Sequence, residues 1–201
     1  MIYLKILQII FGIFLCIFIL LFNFSIIVYD HETYKNGSFD SYINSEEYIN
    51  NLIGYLKNKN ELNINFFNEK EILHLKDVKK IISFFIKSFY FILILFIILI
   101  LKFYKYLFYI SIFSLVFLLS FISLFYLFDF SNLFYKFHLI FFDNNLWLLD
   151  PAKDNLINFF PESFFYNITN KIVYNSLITN FIMILINCII LTCKNLLNKF
   201  Y

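Results

Sequence analysis

The chain has 201 residues, 61% of them hydrophobic, and its 16 basic residues exceed its 14 acidic residues to give a formal net charge of +2. A soluble globular domain has roughly 45–50% apolar residues, so this composition excludes an ordinary soluble domain and is typical of an integral membrane protein. The small charge, with no basic patch, also argues against a nucleic-acid partner.

Four apolar segments are predicted to cross the membrane as helices. The first, residues 6–28, is long enough at 1.5 Å per residue to cross a hydrocarbon core of about 30 Å. It lacks the short apolar region and small-residue cleavage site of a signal peptide, so we expect it to be uncleaved. The others are residues 81–101, 107–128 and 177–192, of which the last contains Asn180 and Asn187. These two amides are expected to bond neighbouring helices.

The distribution of charge predicts the orientation. All 14 acidic residues fall within 30–77 and 129–162. The other three ends of the spans carry lysines only, which favours placing both termini on the cytoplasmic side. Lysines in the first long loop run against this, but both large polar segments must lie on one side. The predicted fold is therefore a single all-α membrane domain over residues 1–201, with four transmembrane helices capped by an extracytoplasmic helical domain built from two loops, 30–80 and 129–175.

Helix signals divide the first loop. Ser45 precedes two glutamates, Glu46 and Glu47, and this pattern predicts an N-cap and a helix that reaches about Leu56. Asn68 with Glu71 three residues later resembles a capping box. It predicts a second helix that continues into the span 81–101.

Helix signals also occur in the second loop. Ser131 is predicted to cap a short helix that reaches about Phe142. Asp150 followed by Pro151 predicts the N-cap and first position of another helix, which Pro161 would end. A further helix is predicted from Pro161 through residue 165 toward residue 170.

The three histidines, His31, His74 and His138, all lie in the loops, close to one predicted membrane interface. On the predicted helix, His74 and Asp77 share a face. A zinc site is an alternative use of histidines and carboxylates, but no HExxH motif occurs. No GxSxG motif presents a serine nucleophile. We therefore expect no metal and no cofactor, and only weak support for a covalent intermediate.

The cysteines do not change this interpretation. Cys16, Cys188 and Cys193 lie in apolar segments or at their ends, so neither a structural disulfide nor a cysteine-rich metal site is predicted.

The stretch Phe137–Phe165 is apolar yet carries His138 and several carboxylates. A charge at the bilayer centre costs at least about 2.5 kcal/mol on insertion scales, so this stretch is better explained as an interfacial surface with a site in it. Trp147, the only tryptophan, suits the headgroup level. Asp150 and Asp154 are predicted mainly as helix caps, although either carboxylate could orient a histidine.

Two segments, Glu71–Val78 and Phe137–Glu162, resemble the lipoprotein intramolecular transacylase family of bacterial membrane proteins. The resemblance extends to the whole layout of one span, a polar loop, two spans, a polar loop and one span. His74 and His138 match the two histidines implicated in that family. His31 has no such match.

The resemblance implies an activity, a substrate and a location. Such an enzyme moves the sn-2 acyl chain of an S-diacylglyceryl-cysteine lipoprotein onto the cysteine's own α-amino group and so gives lyso-form lipoprotein. The implied partners are this lipoprotein and membrane lipids, and the implied location is the bacterial cytoplasmic membrane with the active site at the outer leaflet. Asp77, Trp147 and Asp150 are the candidate supporting residues.

Residue chemistry is compatible with this activity. The α-amino group, with a pKa near ~8, must be neutral to attack an ester, and an imidazole is a suitable general base. Amine and ester belong to one molecule, so proximity can replace an acyl-enzyme. We take His74 as the base, Asp77 as its orienter and His138 as an assistant.

Two other functions stay open. One is a non-catalytic membrane scaffold or accessory subunit with a lipid-facing cap. The other is a transporter, which the absence of charged midspan segments disfavours. The distance between His74 and His138 separates the enzyme from both alternatives.

Overall fold

A computed structural model describes residues 2–35, 45–62 and 66–200. Within these ranges every regular element is a helix, which confirms the predicted all-α class. The elements, in chain order, are α1 (Ile2–Ile27), α2 (His31–Lys35), α3 (Ser45–Leu56), α4 (Glu69–Phe103), a 3₁₀ turn (Tyr104–Tyr106), α5 (Leu107–Leu127), α6 (Phe130–Phe141), α7 (Asn155–Phe159) and α8 (Glu162–Phe200).

Three helical segments among the described residues are long and apolar enough to cross a membrane: Ile2–Ile27, Glu69–Leu127 and Glu162–Lys194. The second has 59 residues and contains two of the predicted spans, which the turn Tyr104–Tyr106 separates. Apolar helices therefore lie where the spans were predicted. A helix is the expected form of such a segment, because a backbone in lipid must satisfy its own hydrogen bonds. The number of crossings stays a prediction, as does the extracytoplasmic cap.

The chain forms two compact units. One comprises Met1–Asn23, Ser88–Phe125 and Ile172–Tyr201, and the other comprises Phe24–Lys87 and Tyr126–Lys171. We call them the apolar unit and the histidine unit, since both His74 and His138 belong to the second. The prediction of one domain over residues 1–201 stays a prediction.

Polar side chains join the helices of the apolar unit. Asn180 Nδ2 donates to Ser114 Oγ at 2.7 Å, and both side chains are fully buried. Asn187 Nδ2 donates to Ser111 Oγ at 3.3 Å. The expectation that these two asparagines of α8 bond a neighbouring helix is thus confirmed, and that helix is α5.

Gly12 of α1 allows the backbone of α5 to approach closely. A Cβ atom at this position would lie 2.5 Å from the Cβ of Phe113. Gly12→Ala is therefore expected to destabilise the protein by about 1–3 kcal/mol through overpacking, seen as a lower thermal unfolding midpoint in detergent micelles. Ile13→Ala, at an exposed neighbouring position, is the matched control, and a Gly12→Ala midpoint as high as the control's would contradict the assigned packing.

The histidine unit has a core of side chains from the loop helices and from the start of α4. Ile49 and Leu52 of α3 pack with Leu75 of α4 and with Leu156 and Phe159 of α7, each of them at most 6% exposed. Helix α3 ends at Leu56 as predicted, and it begins at Ser45, whose predicted capping side chain lies outside the described atoms. This core fixes the first turns of α4, from which His74 projects.

Asp129, and not Ser131, is the N-cap of α6. The Asp129 carboxylate accepts the Asn132 backbone N–H at 3.3 Å. Ser131 lies inside the helix and its hydroxyl donates to Glu162 Oε1. The prediction of Ser131 was wrong because an aspartate two residues earlier, in extended conformation, already satisfies the first turn.

The prediction that a helix begins at Asp150-Pro151 was also wrong. Residues 151–153 form a turn, and α7 begins only at Asn155. The Asp150 carboxylate accepts the Ala152 N–H at 3.0 Å, and the Asp150 carbonyl accepts the Asp154 N–H at 2.8 Å, so local hydrogen bonds close a turn instead. Pro161 does precede a helix, but α8 continues unbroken from Glu162 to Phe200, so the short helix predicted there and the fourth apolar segment are one element.

Candidate active site

The two histidines matched by the resemblance lie side by side in the histidine unit. His74 projects from α4 and His138 from α6, and their ring centroids are 6.2 Å apart with an interplanar angle of 30°. His74 is 6% exposed and His138 is 8% exposed. Sixty-four positions separate them in the sequence, so only the tertiary fold brings the two imidazoles together.

Aromatic rings enclose the pair. Phe142 packs against both imidazoles, with centroids 5.0 Å from His74 and 5.4 Å from His138. Trp147 lies 4.9 Å from the His138 ring, and Phe134 meets it edge-on at 4.5 Å. These walls exclude water from the imidazoles, which strengthens any electrostatic interaction formed there.

A backbone hydrogen bond fixes the tautomer of His138. Its Nδ1 donates to the Phe134 carbonyl oxygen at 2.7 Å. Since a carbonyl oxygen only accepts, the proton resides on Nδ1, and Nε2 keeps a lone pair. His74 differs, because its Nδ1 is buried without a hydrogen-bond partner among the described residues.

Burial shifts both imidazoles toward the neutral form. Burial, together with smaller effects of His138 and Lys70 and against the opposing charge of Asp77, lowers the pKa of His74 from an ordinary 6.5 to about 4. Burial also lowers the pKa of His138, although the bond to Phe134 opposes this. In the unfolded chain His74 binds a proton near pH 6.5, whereas in the folded protein it does so only near pH 4. The folded state therefore loses stability relative to the unfolded state as the pH falls from about 6.5 toward 4.

Asp77 contacts a different partner from the one predicted. Its Oδ1 accepts from Lys80 Nζ at 2.8 Å, and its Oδ2 accepts from Asn144 Nδ2 at 3.0 Å. Within the described part of the chain no hydrogen bond joins Asp77 to His74, whose Nδ1 is unpartnered. Asp77 therefore anchors the residues that follow α6 to α4, and it acts on His74 through its charge alone.

Trp147 and Asp150, the other supporting candidates, have unequal positions. Trp147 packs on His138 and also meets Tyr135 at 5.5 Å. The Asp150 side chain is 49% exposed and lies 3.7 Å from Lys153. Asp150 reaches the site only indirectly, since its backbone N–H donates to Asp154 Oδ2 at 2.7 Å.

His31 is not part of the pair. It lies in α2, where its Nδ1 is 3.9 Å from Glu32 Oε1. No ring contact or hydrogen bond between His31 and the other two histidines occurs in the described ranges. The same ranges contain no group of three or more His, Cys, Asp or Glu side chains that could hold a metal ion.

Glu71 is the residue whose importance sequence reasoning underestimated. The predicted capping box is confirmed, because Asn68 N donates to Glu71 Oε2 at 2.7 Å and Glu71 N donates to Asn68 Oδ1 at 3.0 Å. The carboxylate is also fully buried, and its second oxygen accepts the backbone N–H of Leu156. The capping box was the available signal, but the partner in α7 is a tertiary contact.

Known proteins that resemble the chain agree with one another. A family model described as lipoprotein intramolecular transacylase Lit matches residues 1–165. A solved structure of the membrane integral lipoprotein intramolecular transacylase Lit from Bacillus cereus is 21% identical, with a TM-score of 0.73 over 96% of this chain and 97% of that one. Two structures of that protein with one histidine replaced, by arginine and by alanine, give TM-scores of 0.72 at 20% identity, over 96% of this chain and 93% and 95% of theirs. No curated protein sequence matches.

Proposed function

The chain belongs to the lipoprotein intramolecular transacylase family, and we propose that it moves the sn-2 acyl chain of an S-diacylglyceryl-cysteine lipoprotein onto the lipoprotein's own N-terminal α-amino group. The observation that carries this proposal is the pair of buried imidazoles, whose ring centroids are 6.2 Å apart. The single product is an N-acylated lyso-form lipoprotein, and no free fatty acid is released. The protein is thus a membrane acyltransferase whose reaction stays within one substrate molecule.

His138 is the proton carrier in this mechanism. Its Nε2 lone pair takes the proton that the α-amino nitrogen loses as it attacks the ester carbonyl carbon. The imidazolium so formed is stabilised by the Nδ1–H bond to the Phe134 carbonyl. When the carbon–oxygen bond of the ester breaks, His138 returns this proton to the departing glycerol oxygen, so the protons balance.

His74 stabilises the oxyanion. An imidazole with a pKa of about 4 stays neutral and can donate an N–H bond without carrying charge, as a neutral electrophile. This reverses the roles assigned from the sequence, where His74 was the base. The reason is the hydrogen-bond pattern, because only His138 has a tautomer fixed with an accepting Nε2.

The substrate supplies the remaining rate enhancement. Its amine and ester are joined by a few bonds, and the rings of Phe142 and Trp147 pack against the imidazoles that both groups must reach. Well-oriented intramolecular reactions reach effective molarities of about 10⁵–10⁸ M. No serine or cysteine nucleophile is then required.

We further propose that the site lies at the outer leaflet. Helix α6 exposes large apolar side chains on the turn around His138, including Leu139 at 55% and Ile140 at 75%. Exposed apolar surface of this kind is typical of a membrane contact. A lipoprotein anchored by its own acyl chains would reach the imidazoles from this side.

Expression in a bacterium that lacks native N-acylation of lipoproteins tests the proposal. Mass spectrometry of the N-terminal lipopeptide of a reporter lipoprotein should show one acyl chain on the amine and one on glycerol. A reporter that keeps a free amine and two glycerol-linked chains, together with a co-purifying partner, would favour the scaffold function instead.

The pH dependence follows from the two lowered histidine pKa values. Both imidazoles are neutral above about pH 6.5, so we expect the acid limb of kcat/KM to follow the substrate's α-amino group, with a pKa near ~8. The rate should rise with pH between about 6 and 8, measured as initial rates of lipopeptide N-acylation. A profile already flat at about pH 7 would contradict this assignment.

A further inference from the structure

One buried carboxylate caps two helices of the histidine unit. Glu71 is 0% exposed, and its Oε2 completes the capping box of α4 by accepting the Asn68 N–H at 2.7 Å. Its Oε1 accepts the backbone N–H of Leu156, 85 positions away in the first turn of α7. Both acceptor oxygens of Glu71 are thus used, one for each helix.

The residue at the N-cap position of α7 does not itself cap the helix, and Glu71 does so instead. Asp154 occupies the N-cap position, but its side chain makes no capping hydrogen bond. Its Oδ1 accepts from Asn68 Nδ2 at 2.7 Å, and its Oδ2 accepts from the Asp150 N–H at 2.7 Å. These bonds hold the pKa of Asp154 below its ordinary value. Glu71 of α4 thus caps α7, and Asp154 before α7 bonds Asn68 before α4. These two contacts join the starts of the two helices.

Two further contacts fix residues 142–156, which comprise the chain between α6 and α7 and the first two residues of α7, along α4. Lys70 Nζ donates to the Leu148 carbonyl at 2.5 Å, and Asn144 Nδ2 donates to Asp77 at 3.0 Å. Together with Glu71, these contacts lie on both sides of His74 in α4. Residues 142–156 also supply Phe142 and Trp147, the rings that pack on His138.

We propose that Glu71 is a positioning residue for the acyl transfer, because it fixes residues 142–156 to α4 and so sets the geometry between His74 and His138. This inference rests on the proposed function and adds a residue to it. Glu71 acts through the 142–156 segment and is not expected to touch substrate. The role requires a carboxylate, since both of its partners are backbone N–H donors and glutamine would present an NH₂ group to one of them.

Glu71→Gln tests the proposal, with Asp30→Asn as the matched control. Asp30 accepts from Lys171 Nζ at 2.9 Å in the same unit and lies outside the 142–156 segment. A misplacement of about 1 Å can cost 10²-fold in rate, so we expect Glu71→Gln to lower kcat about 10²-fold with KM little changed. Asp30→Asn should lower the thermal midpoint alone.

A second readout needs no substrate. Histidine C2–H hydrogen exchange, followed by mass spectrometry, gives the titration of His74 in the purified protein. In Glu71→Gln the pKa of His74 should rise from about 4 toward 6.5, because the segment that buries it is loosened. The charged or titratable groups that face His74, namely His138, Asp77 and Lys70, are present in both variants, and Asp30→Asn should leave the titration unchanged.

Asn144→Ala, at an exposed position, loosens the other end of the 142–156 segment and should shift both readouts less, in the same direction. The proposal is overturned if neither Glu71→Gln nor Asn144→Ala moves the His74 titration, or if kcat of Glu71→Gln changes no more than kcat of the Asp30→Asn control. Absence of acyl transfer by the unmodified protein would reject the proposed function, and the titration would still decide whether Glu71 fixes the histidine geometry.

Discussion

Replacing His138 with alanine is expected to lower acyl transfer by about 10²–10⁴-fold, the range that a positioned general acid–base group contributes. His138 alone has a tautomer fixed by a backbone bond, from Nδ1 to the Phe134 carbonyl. In the proposed mechanism its loss removes both the acceptor for the amine proton and the donor to the glycerol oxygen. The measurement is the initial rate of N-acylation of a diacylglyceryl lipopeptide in micelles, read by mass spectrometry.

His31→Ala is the matched control, because His31 is the one other histidine in the sequence and lies apart from the pair. It should retain the unmodified rate. His138→Gln should be as slow as His138→Ala, since an amide nitrogen cannot take up a proton. A His138→Ala enzyme within about tenfold of the unmodified rate would contradict the role of His138 as proton carrier.

Replacing His74 with alanine is the second large effect. Removal of one oxyanion donor costs about 10²–10³-fold in kcat, and we expect His74→Ala to fall in that range. In the proposed mechanism the neutral His74 ring acts as a hydrogen-bond donor, which a glutamine amide can partly replace. His74→Gln should therefore recover part of the lost rate in the same assay.

The glutamine variants separate the two roles. Partial recovery at position 74 and none at position 138 supports an oxyanion donor and a proton carrier, respectively. A His74→Gln rate as low as that of His74→Ala would contradict the role of His74 as an oxyanion donor and would favour proton uptake by His74. That result would restore the assignment made from the sequence.

The apolar helices were predictable because their physical cause is local. In lipid, an apolar run such as residues 6–28 can satisfy its backbone hydrogen bonds only as a helix. Composition and length therefore suffice to predict the helix. The amides of Asn180 and Asn187 were predictable for a similar reason, since a polar side chain in an apolar helix needs a partner on a neighbouring helix.

The pairing of His74 with His138 was predicted through the family resemblance and not through spacing. Nothing in the 63 intervening residues predicts that the two imidazoles meet. The tautomer of His138 is a local feature, because Phe134 precedes it by one helical turn. It became informative only once α6 and its bounds were known.

Two expectations at the site meet competing tertiary contacts. Asp77 lies one turn from His74, so helical spacing predicted that it orients the ring, but Asn144 competes for its carboxylate. Asp150-Pro151 has a favourable helix-start pattern, but α7 begins only after Asp154, and its first turn is capped by Glu71 from another helix. In both cases a tertiary partner overrides a local preference.

The origin of the transferred acyl chain gives the most direct test of the account. Purified protein in lipid nanodiscs is given an equal mixture of two diacylglyceryl lipopeptides, one unlabelled and one with isotopic labels in both its peptide and its sn-2 chain. Transfer within one molecule predicts N-acylated lyso-form products in which peptide and acyl labels always occur together. Labelled chains on unlabelled peptides, or products that keep a free amine, would contradict an intramolecular transfer between the amine and the ester of one substrate.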